Sequence, residues 1–316
     1  MSLAAISTAP CARLAPKLGA IATLAALSAL VLLTARAANG RTTAPLPQMA
    51  PPRSTDRVLV IAPHPDDETL CCGGYLQQAV AAGATVGVVW ITAGDSFEID
   101  AIVTERTLRP KASGLEQLGM RRIAEAHAAA DRLGVPRAQQ ILLGFPDRDV
   151  HALLLTPSAA PLRSRYTGVS AVPYAEALHP GSPYTGSELR RNLQEVIVRF
   201  APTIVLAAAP QDRHPDHNAS GALAVELLRA SASKARIYYW IVHAGHEWPA
   251  PRGLHRERPL LPPKIARDLS WQRLPLSDAQ VAGKLAALNE HHTQLRVMSR
   301  FLDAFVRNDE IFAPAP

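Results

Sequence analysis

The strongest constraint on the fold is an apolar run that ends directly in a cluster of histidine and acidic residues. Residues 58–62 are all apolar, and the cluster after them reads Pro63-His64-Pro65-Asp66-Asp67-Glu68. A short continuous apolar run is typical of a strand that is buried on both faces of a parallel sheet. Because proline cannot donate to a sheet ladder, the strand is predicted to end at this cluster. Ligands of such sheets bind beyond the carboxyl ends of the strands, so the cluster is predicted to line a ligand crevice.

A second cluster of the same kind follows another largely apolar run. The run covers residues 203–207, and the cluster after it reads Gln211-Asp212-Arg213-His214-Pro215-Asp216-His217. Taken alone, the first cluster has an alternative interpretation, in which its acids cap the following helix. Two strand ends that carry imidazole and carboxylate groups can instead converge on one metal ion. We therefore interpret the two clusters as the halves of a single metal site.

The rest of the chain alternates between strand and helix patterns. Further strands are predicted over residues 85–91, 140–143 and 237–242. Helices are predicted over residues 69–82, 115–133, 187–200 and 217–228, and a long amphipathic pattern with a break covers 277–306. His291 and His292 lie on this last pattern and are interpreted as solvent-exposed. This alternation predicts the α/β class, with a doubly wound, mostly parallel, Rossmann-like sheet and right-handed crossovers.

Two proline-rich segments interrupt the alternation and are predicted to be long loop insertions. They cover residues 151–185 and 244–276, and they contain Tyr166, Tyr174, Tyr184, Trp248 and Trp271. Loops of this length inside a compact domain are usually functional or disordered. The aromatic residues have two interpretations, as stacking surfaces for a sugar ring or as anchors that hold the loops to the core.

The N-terminal residues have the layout of a secretory signal. Arg13 and Lys17 precede an apolar stretch over residues 18–33, and Ala35-Arg36-Ala37 offers small residues at a cleavage site. Residues 1–37 are thus predicted to be a signal peptide or an N-terminal membrane anchor, followed by a Pro/Thr-rich linker over 38–55. We expect an exported domain, periplasmic or secreted, which is either released or held at the membrane by this segment.

Charge and cysteine content add two further expectations. The formal net charge is +6, but no dense block of Lys and Arg with interleaved aromatics is present, so nucleic acid is not an expected partner. Cys71 and Cys72 are adjacent, which predicts that they form no disulfide with each other and pack as small apolar side chains. Metal ligation by their thiolates is the alternative.

The two clusters together resemble the LmbE/PIG-L family of zinc-dependent N-acetylglucosaminyl deacetylases. The first motif of that family usually reads Ala-His-Pro-Asp-Asp-Glu, and Pro63 replaces its alanine here. The resemblance covers about residues 56–312 and extends to Gly73-Gly74, Arg122, Glu125, Leu133-Gly134, Lys284, Gln294 and Glu310-Ile311-Phe312.

The resemblance implies a hydrolase that removes the N-acetyl group from an N-acetylglucosamine-type sugar or glycoconjugate and releases acetate. It implies that His64, Asp67 and His217 bind Zn²⁺, and such a His₂Asp site can also bind Fe²⁺. The other site residues are assigned as follows: Asp66 as the general base, His214 as the oxyanion stabiliser or acid, Asp216 as a residue that orients an imidazole, and Arg122 as a substrate ligand. Asp95, at a predicted strand end, is a further candidate for a sugar hydroxyl.

Two alternatives come from other functional classes, and a third lies within the hydrolases. A nucleotide-binding module is disfavoured, because the first strand is followed by His-Pro-Asp-Asp-Glu where a dinucleotide binder has Gly-x-Gly-x-x-Gly. A non-catalytic, metal-containing carbohydrate-binding protein is disfavoured by the intact Asp66, and because structural zinc sites are usually closed by four ligands. A hydrolase of another amide or of a phosphoester stays open at this stage.

Overall fold

A seven-stranded sheet runs through the part of the chain that the structure describes. The structure is a computed structural model, and it describes residues 45–96, 112–155 and 160–316. The strands are β1 (Arg57–Ala62), β2 (Thr85–Thr92), β3 (Gln140–Phe145), β4 (Ile204–Ala208), β5 (Arg236–Trp240), β6 (Gln272–Pro275) and β7 (Asp309–Pro314). Their order across the sheet is β3-β2-β1-β4-β5-β7-β6.

The pairing of the strands confirms the predicted doubly wound, mostly parallel α/β fold. Strands β1 to β5 pair in parallel, whereas β7 runs antiparallel to both β5 and β6. Residues 58–62 of β1 are fully buried, as a strand with helices on both faces requires. Strand β6 lies inside the segment 244–276, which was interpreted as loop, and β7 was not predicted as a strand. Strand β6 forms one edge of the sheet, β7 lies between it and β5, and both β6 and β7 end in proline.

Helices in the described ranges connect these strands. They are α1 (Asp67–Ala81), α2 (Ala112–Arg132), α3 (Val150–Leu155), α4 (Gly186–Phe200), α5 (Pro215–Ala230), α6 (Asp278–Leu288) and α7 (His292–Leu302). The break predicted in the last amphipathic pattern falls between α6 and α7. Helix α6 begins with a capping box in which Ser277 and Gln280 each accept a backbone N–H of the other.

The long insertions are held to the core by their aromatic residues. Tyr174 and Tyr184 are buried, and Tyr166 is half-buried. The hydroxyls of Tyr174 and Tyr184 donate to Asp95 and to the carbonyl oxygen of Gly144, and Trp248 packs edge-on against Phe305. These contacts favour the anchoring interpretation over the sugar-stacking one. Helix α3 lies in the first insertion, where a loop was predicted.

Part of the predicted linker is hydrogen-bonded to the sheet edge. The N–H of Met49 donates to the carbonyl oxygen of Arg273 in β6, and the N–H of Arg273 donates to Pro47. Met49 is buried in the core of the unit formed by residues 46–316. The predicted signal or anchor, residues 1–37, lies outside the described residues. No helix within the described ranges is long and apolar enough to cross a membrane.

The expectation for the two adjacent cysteines is wrong. Cys71 and Cys72 form a disulfide with each other, although their Cα atoms are closer than in ordinary disulfides. The prediction took the usual Cα spacing of disulfides as its criterion. A bond between neighbouring cysteines does not follow that spacing, because it closes a ring that contains a single peptide group. Their sulfur atoms are therefore not thiolates that could ligate a metal. Both residues are buried in α1, as the packing prediction required.

Candidate active site

The two sequence clusters meet at the point where the connections of the sheet diverge. Strand β1 pairs with both β2 and β4, and the chain continues from β2 to β3 on one side and from β4 to β5 on the other. A crevice forms beyond the carboxyl ends of strands at such a switch point. The turn from β1 into α1 carries His64 to Asp67, and the turn from β4 into α5 carries Asp212 to His217. The fold thus brings the two clusters to one place.

Three side-chain atoms from these turns form a compact triangle. Nδ1 of His64 lies 3.1 Å from Nε2 of His217 and 3.3 Å from Oδ2 of Asp67, and the remaining distance, from His217 Nε2 to Asp67 Oδ2, is 3.2 Å. Ligands about 2.0–2.2 Å from one tetrahedral ion lie about 3.3–3.5 Å from one another. The triangle therefore fits one face of a tetrahedral site. These are the three residues predicted as ligands, and the structure brings them together.

Carboxylates on the outer side hold the other nitrogen of each imidazole. Nε2 of His64 lies 3.2 Å from Oδ1 of Asp147 and 3.4 Å from Oδ2 of Asp216, and Nδ1 of His217 lies 3.2 Å from Oδ2 of Asp212. Such partners fix the ring orientation and direct the opposite nitrogen towards a metal ion. The structure places Asp216 as predicted, beside an imidazole. Asp147 was not predicted as a site residue, because its only signal in the sequence is its position after β3. Asp212 belongs to the second cluster, but no role was predicted for it.

The electrostatics of the triangle suit a divalent cation. Burial alone would lower the pKa of His217, but Asp67 and Asp212 outweigh it and raise that pKa to about 9. Burial opposes ionisation of Asp67 as well, yet His217 and His64 hold its pKa well below the ordinary value. In the absence of a cation, the buried carboxylates therefore keep the imidazoles protonated. A bound divalent ion would replace those protons as the compensating charge.

Asp66 stands beside the triangle in a conformation that is uncommon for a residue with a side chain. Its φ is +119°, and its N–H donates to Oε2 of Glu68. Burial raises the pKa of Asp66 to about 7, with Arg122 opposing this rise and Asp67 adding to it. Oδ2 of Asp66 lies 3.5 Å from Nη2 of Arg122. A carboxyl group with a pKa near neutrality is suited to accept and return a proton.

The turn that contains Asp66 is braced by side chains from other elements. Arg122 of α2 donates from Nη1 to the carbonyl oxygen of Gly94 and from Nη2 to that of Pro65, both at 2.8 Å. Gln294 of α7 donates to the same Pro65 carbonyl at 3.1 Å. The observed contacts of Arg122 thus support the backbone before Asp66. Its predicted contact with substrate stays a prediction.

Glu68 connects Asp66 to a buried histidine that was predicted to be exposed. Oε2 of Glu68 accepts the indole N–H of Trp90, and Oε1 lies 3.2 Å from Nε2 of His291. His291 was interpreted as a solvent-exposed residue of the last helix, but it is completely buried. The interpretation failed because His291 precedes α7 in the break between helices, where the helical pattern no longer determines which face is exposed.

A cavity of about 140 Å³ adjoins the triangle and Asp66. His214 and His243 line its polar side, and Leu70, Met298 and Phe301 line its apolar side. Burial, followed by repulsion from His64 and His217, lowers the pKa of His214 to about 2, so its imidazole is neutral. Nδ1 of His214 accepts the N–H of Asp216, which places the ring proton on Nε2. His214 can therefore donate a hydrogen bond from Nε2.

Asp95 occupies a different position from the other predicted residues. Its Oδ2 accepts the hydroxyl of Tyr174 at 2.6 Å, and the residue is not among those that line the 140 Å³ cavity. Burial, reinforced by the nearby Asp147, raises the pKa of Asp95 to about 7. The observed contact of Asp95 is to an anchored loop, and its predicted role towards a sugar hydroxyl has no further support from this geometry.

The fold and the site together define a metal-dependent hydrolase. The family model described as PIG-L, GlcNAc-PI de-N-acetylase, matches residues 59–228, which is more than half of the chain. The chain belongs to this family, and the predicted N-deacetylase activity is confirmed at that level.

Individual relatives agree with this membership. The chain is 29% identical over 286 residues to a 1D-myo-inositol 2-acetamido-2-deoxy-alpha-D-glucopyranoside deacetylase of Segniliparus rotundus, with 82% of this chain and 83% of the relative covered. The structure is similar to that of the A40926 pseudoaglycone deacetylase Dbv21, with a TM-score of 0.54, 21% identity and coverage of 82% and 96%. It is also similar to an N,N'-diacetylchitobiose deacetylase from Pyrococcus horikoshii, with a TM-score of 0.52, 20% identity and coverage of 83% and 84%.

Proposed function

We propose that this protein uses Zn²⁺ to remove the N-acetyl group from an N-acetylglucosamine unit of a glycoside or glycoconjugate. The observation that carries the proposal is the triangle of His64, Asp67 and His217 with the carboxyl group of Asp66 beside it. Two nitrogens and one oxygen are a donor set that catalytic zinc sites use, and Fe²⁺ is the alternative ion for such a set. The names of two of the relatives mention an acetylated sugar, a 2-acetamido-2-deoxy-glucopyranoside in one and N,N'-diacetylchitobiose in the other. The acetamido sugar of the Segniliparus enzyme guides our choice.

The residues of this chain have separate tasks in the proposed reaction. When bound, a zinc ion lowers the pKa of water to about 7 and polarises an amide carbonyl. Asp66 accepts a proton from the attacking water at its carboxylate and later delivers it to the leaving nitrogen. His214 donates from Nε2 to the amide oxygen as negative charge develops there. The C–N bond of the acetamido group breaks, and acetate and the free amine of the sugar are released.

The volume of the cavity matches a small reacting group. At about 140 Å³ it is smaller than the roughly 300–1,000 Å³ typical of pockets that enclose a whole ligand. The apolar wall formed by Leu70, Met298 and Phe301 suits the methyl group of an acetamide. We therefore expect the acetamido group to occupy the cavity, while the remainder of the substrate extends out of it.

Acetate release from a simple methyl glycoside of N-acetylglucosamine tests the proposal. The full chain, loaded with zinc, should release acetate and free amine in equal amounts, and removal of the metal by a chelator should abolish the release. Restoration by zinc, but not by magnesium, is expected because magnesium prefers an all-oxygen shell. A metal-loaded protein that binds the glycoside without releasing acetate would identify a carbohydrate-binding protein instead.

A further inference from the structure

A second cavity adjoins the catalytic one and is rich in basic side chains. It has a volume of about 370 Å³, and His214, His243 and Phe301 line both cavities. Its other side is formed by Arg213, His246 and Arg252. We call these three residues the basic groove. A third cavity, of about 730 Å³, shares Arg213 and His246 with it. The basic groove thus lies next to the catalytic cavity on one side and the third cavity on the other.

The two arginines of the basic groove have no acidic partner in the described part of the chain. Neither guanidinium lies within ion-pair distance of a carboxylate there, whereas Lys264 in the outer cavity is paired with Glu247 at 2.7 Å. Nη1 of Arg252 is buried and, within the described ranges, has no hydrogen-bond partner. Unpaired buried donors are costly, so such an atom points to a ligand that is absent from the structure.

Both arginines are held in position by the walls of the catalytic site. The guanidinium of Arg252 lies 4.4 Å from the centre of the Phe301 ring, and its Nη2 donates to the carbonyl oxygen of His246. Arg213 directly precedes His214, and its N–H donates to the carbonyl oxygen of His243. These contacts hold the Arg252 guanidinium and the backbone of Arg213 beside the catalytic cavity.

We infer that the basic groove is a subsite for an anionic group on the part of the substrate beyond the N-acetylated sugar. This inference rests on the proposed function, because the groove adjoins the cavity that would hold the acetamido group. Guanidinium groups bind carboxylates and phosphates through paired, charge-assisted hydrogen bonds. The substrates favoured by this site are therefore glycosides whose aglycone carries a carboxylate or a phosphate.

Matched pairs of glycosides provide the test. One pair consists of N-acetylglucosamine glycosides whose aglycone ends in a carboxylate or in the carboxamide of the same size. The other pair ends in a phosphate monoester or in the free alcohol. With the zinc-loaded full chain, kcat/KM should be about tenfold higher or more for the charged member, and added salt should reduce this preference. The pair that shows the larger preference identifies the anion.

Two variants and one control locate the effect. Arg252→Gln and Arg213→Gln should each raise KM for the charged glycoside about tenfold, which removes the preference for it over the neutral glycoside. Arg199→Gln on α4 removes the same charge from an exposed position that lines none of the three cavities, and it should leave the preference intact. Because Arg213 is exposed, its variant stays informative if Arg252→Gln does not fold.

The outcomes separate the subsite from the proposed function. Equal turnover of both members of each pair by the wild type would overturn the subsite while the deacetylase stands. Failure to release acetate from any of the glycosides would overturn the proposed function. The subsite would then be tested by calorimetric measurement of the binding of the charged glycoside. Equal dissociation constants of the charged glycoside for the wild type and for Arg213→Gln would overturn the subsite in that case as well.

Discussion

At the residue scale, the site assigns different environments to chemically similar groups. Asp66 and Asp67 are neighbours, yet the pKa of Asp66 is raised to about 7 whereas that of Asp67 is held well below its ordinary value. The cause is the partner of each carboxylate. Asp67 contacts two imidazoles, while Asp66 is buried beside Arg122 and near other carboxylates. A difference of this kind separates a metal ligand from a proton acceptor.

Replacement of His214 is predicted to affect catalysis but not metal binding. His214→Ala should lower kcat by roughly 10²–10³, because the variant loses a hydrogen bond to the developing negative charge. Its metal content should equal that of the wild type, since the triangle is complete without it. Metal analysis of the purified variant, together with acetate release, measures both quantities. A variant without bound metal would make His214 a ligand.

Asp95 is predicted to make the free energy of unfolding depend on pH. Burial keeps its carboxyl group protonated in the folded protein up to pH about 7, whereas the unfolded chain ionises near the ordinary pKa of 3.8. Its contribution to folding is therefore complete below pH 4 and is lost as the pH rises through about 7, a loss on the order of 4 kcal/mol. Asp95→Asn keeps an acceptor for Tyr174 and should lose this dependence. Urea unfolding of both proteins at pH 5 and pH 8 tests it, and parallel pH profiles would contradict it.

At the element scale, helix α1 is held in place by a buried ion pair. Nζ of Lys284 in α6 donates to Oε1 of Glu310 at 2.6 Å and to the carbonyl oxygen of Leu70 at 2.8 Å. The carboxylate of Glu310 accepts the backbone N–H groups of Gly74 and Tyr75. The late Lys284 and Glu310 pattern of the sequence thus joins β7, α6 and α1. It supports the helix whose first turn carries Asp67.

Removing one partner of this pair should be strongly destabilising. Glu310→Gln leaves the buried Lys284 ammonium without a counter-charge, and we expect a loss of about 3–5 kcal/mol in the free energy of unfolding. Glu247→Gln is the matched control, because it breaks an exposed ion pair with Lys264 and should change stability little. Denaturant unfolding compares the two variants. Equal stability of both would show that the buried pair does not hold α1.

Local patterns predicted the central elements of the fold and left out those that depend on distant contacts. Strands β1 to β5 were visible because each contains an apolar run, and all of them except the partly exposed β5 are buried on both sides. Strand β7 was not visible, since Asp309 and Glu310 are acidic, and their burial depends on partners in α6 and on the loop residue Leu260. Asp147 was missed for the same reason. Only the folded sheet shows that the turn after β3 reaches His64.

At the scale of the whole molecule, the order of the strands creates the site. The clusters after β1 and β4 are far apart in sequence, and they meet because these two strands are neighbours where the chain direction across the sheet reverses. Matching cluster composition predicted that meeting. The basic groove was not predictable, because Arg213 and Arg252 come from different loops and only the folded protein brings them to one cavity.

The N-terminal layout leads to a prediction for the location of the whole protein. Basic residues, an apolar stretch and small residues follow one another over residues 13–37. We therefore expect residues 1–55, fused to a reporter that is active only after export, to produce reporter activity. A version with Leu18 to Leu33 interrupted by two aspartates serves as the control and should be silent. A silent, soluble reporter carrying the unaltered segment would contradict export.

The most direct test of the account is the division of labour between Asp66 and Asp67. Zinc stoichiometry and kcat should be measured side by side for Asp66→Asn and Asp67→Asn. Asparagine suits the positive φ of Asp66, so that variant should fold, retain its zinc and lose about 10²–10⁴ in kcat. Asp67→Asn should lose zinc, because a neutral amide is a weaker ligand than a carboxylate. Retention of zinc by Asp67→Asn with loss from Asp66→Asn would reverse the roles, and full zinc with normal turnover in both would contradict the account.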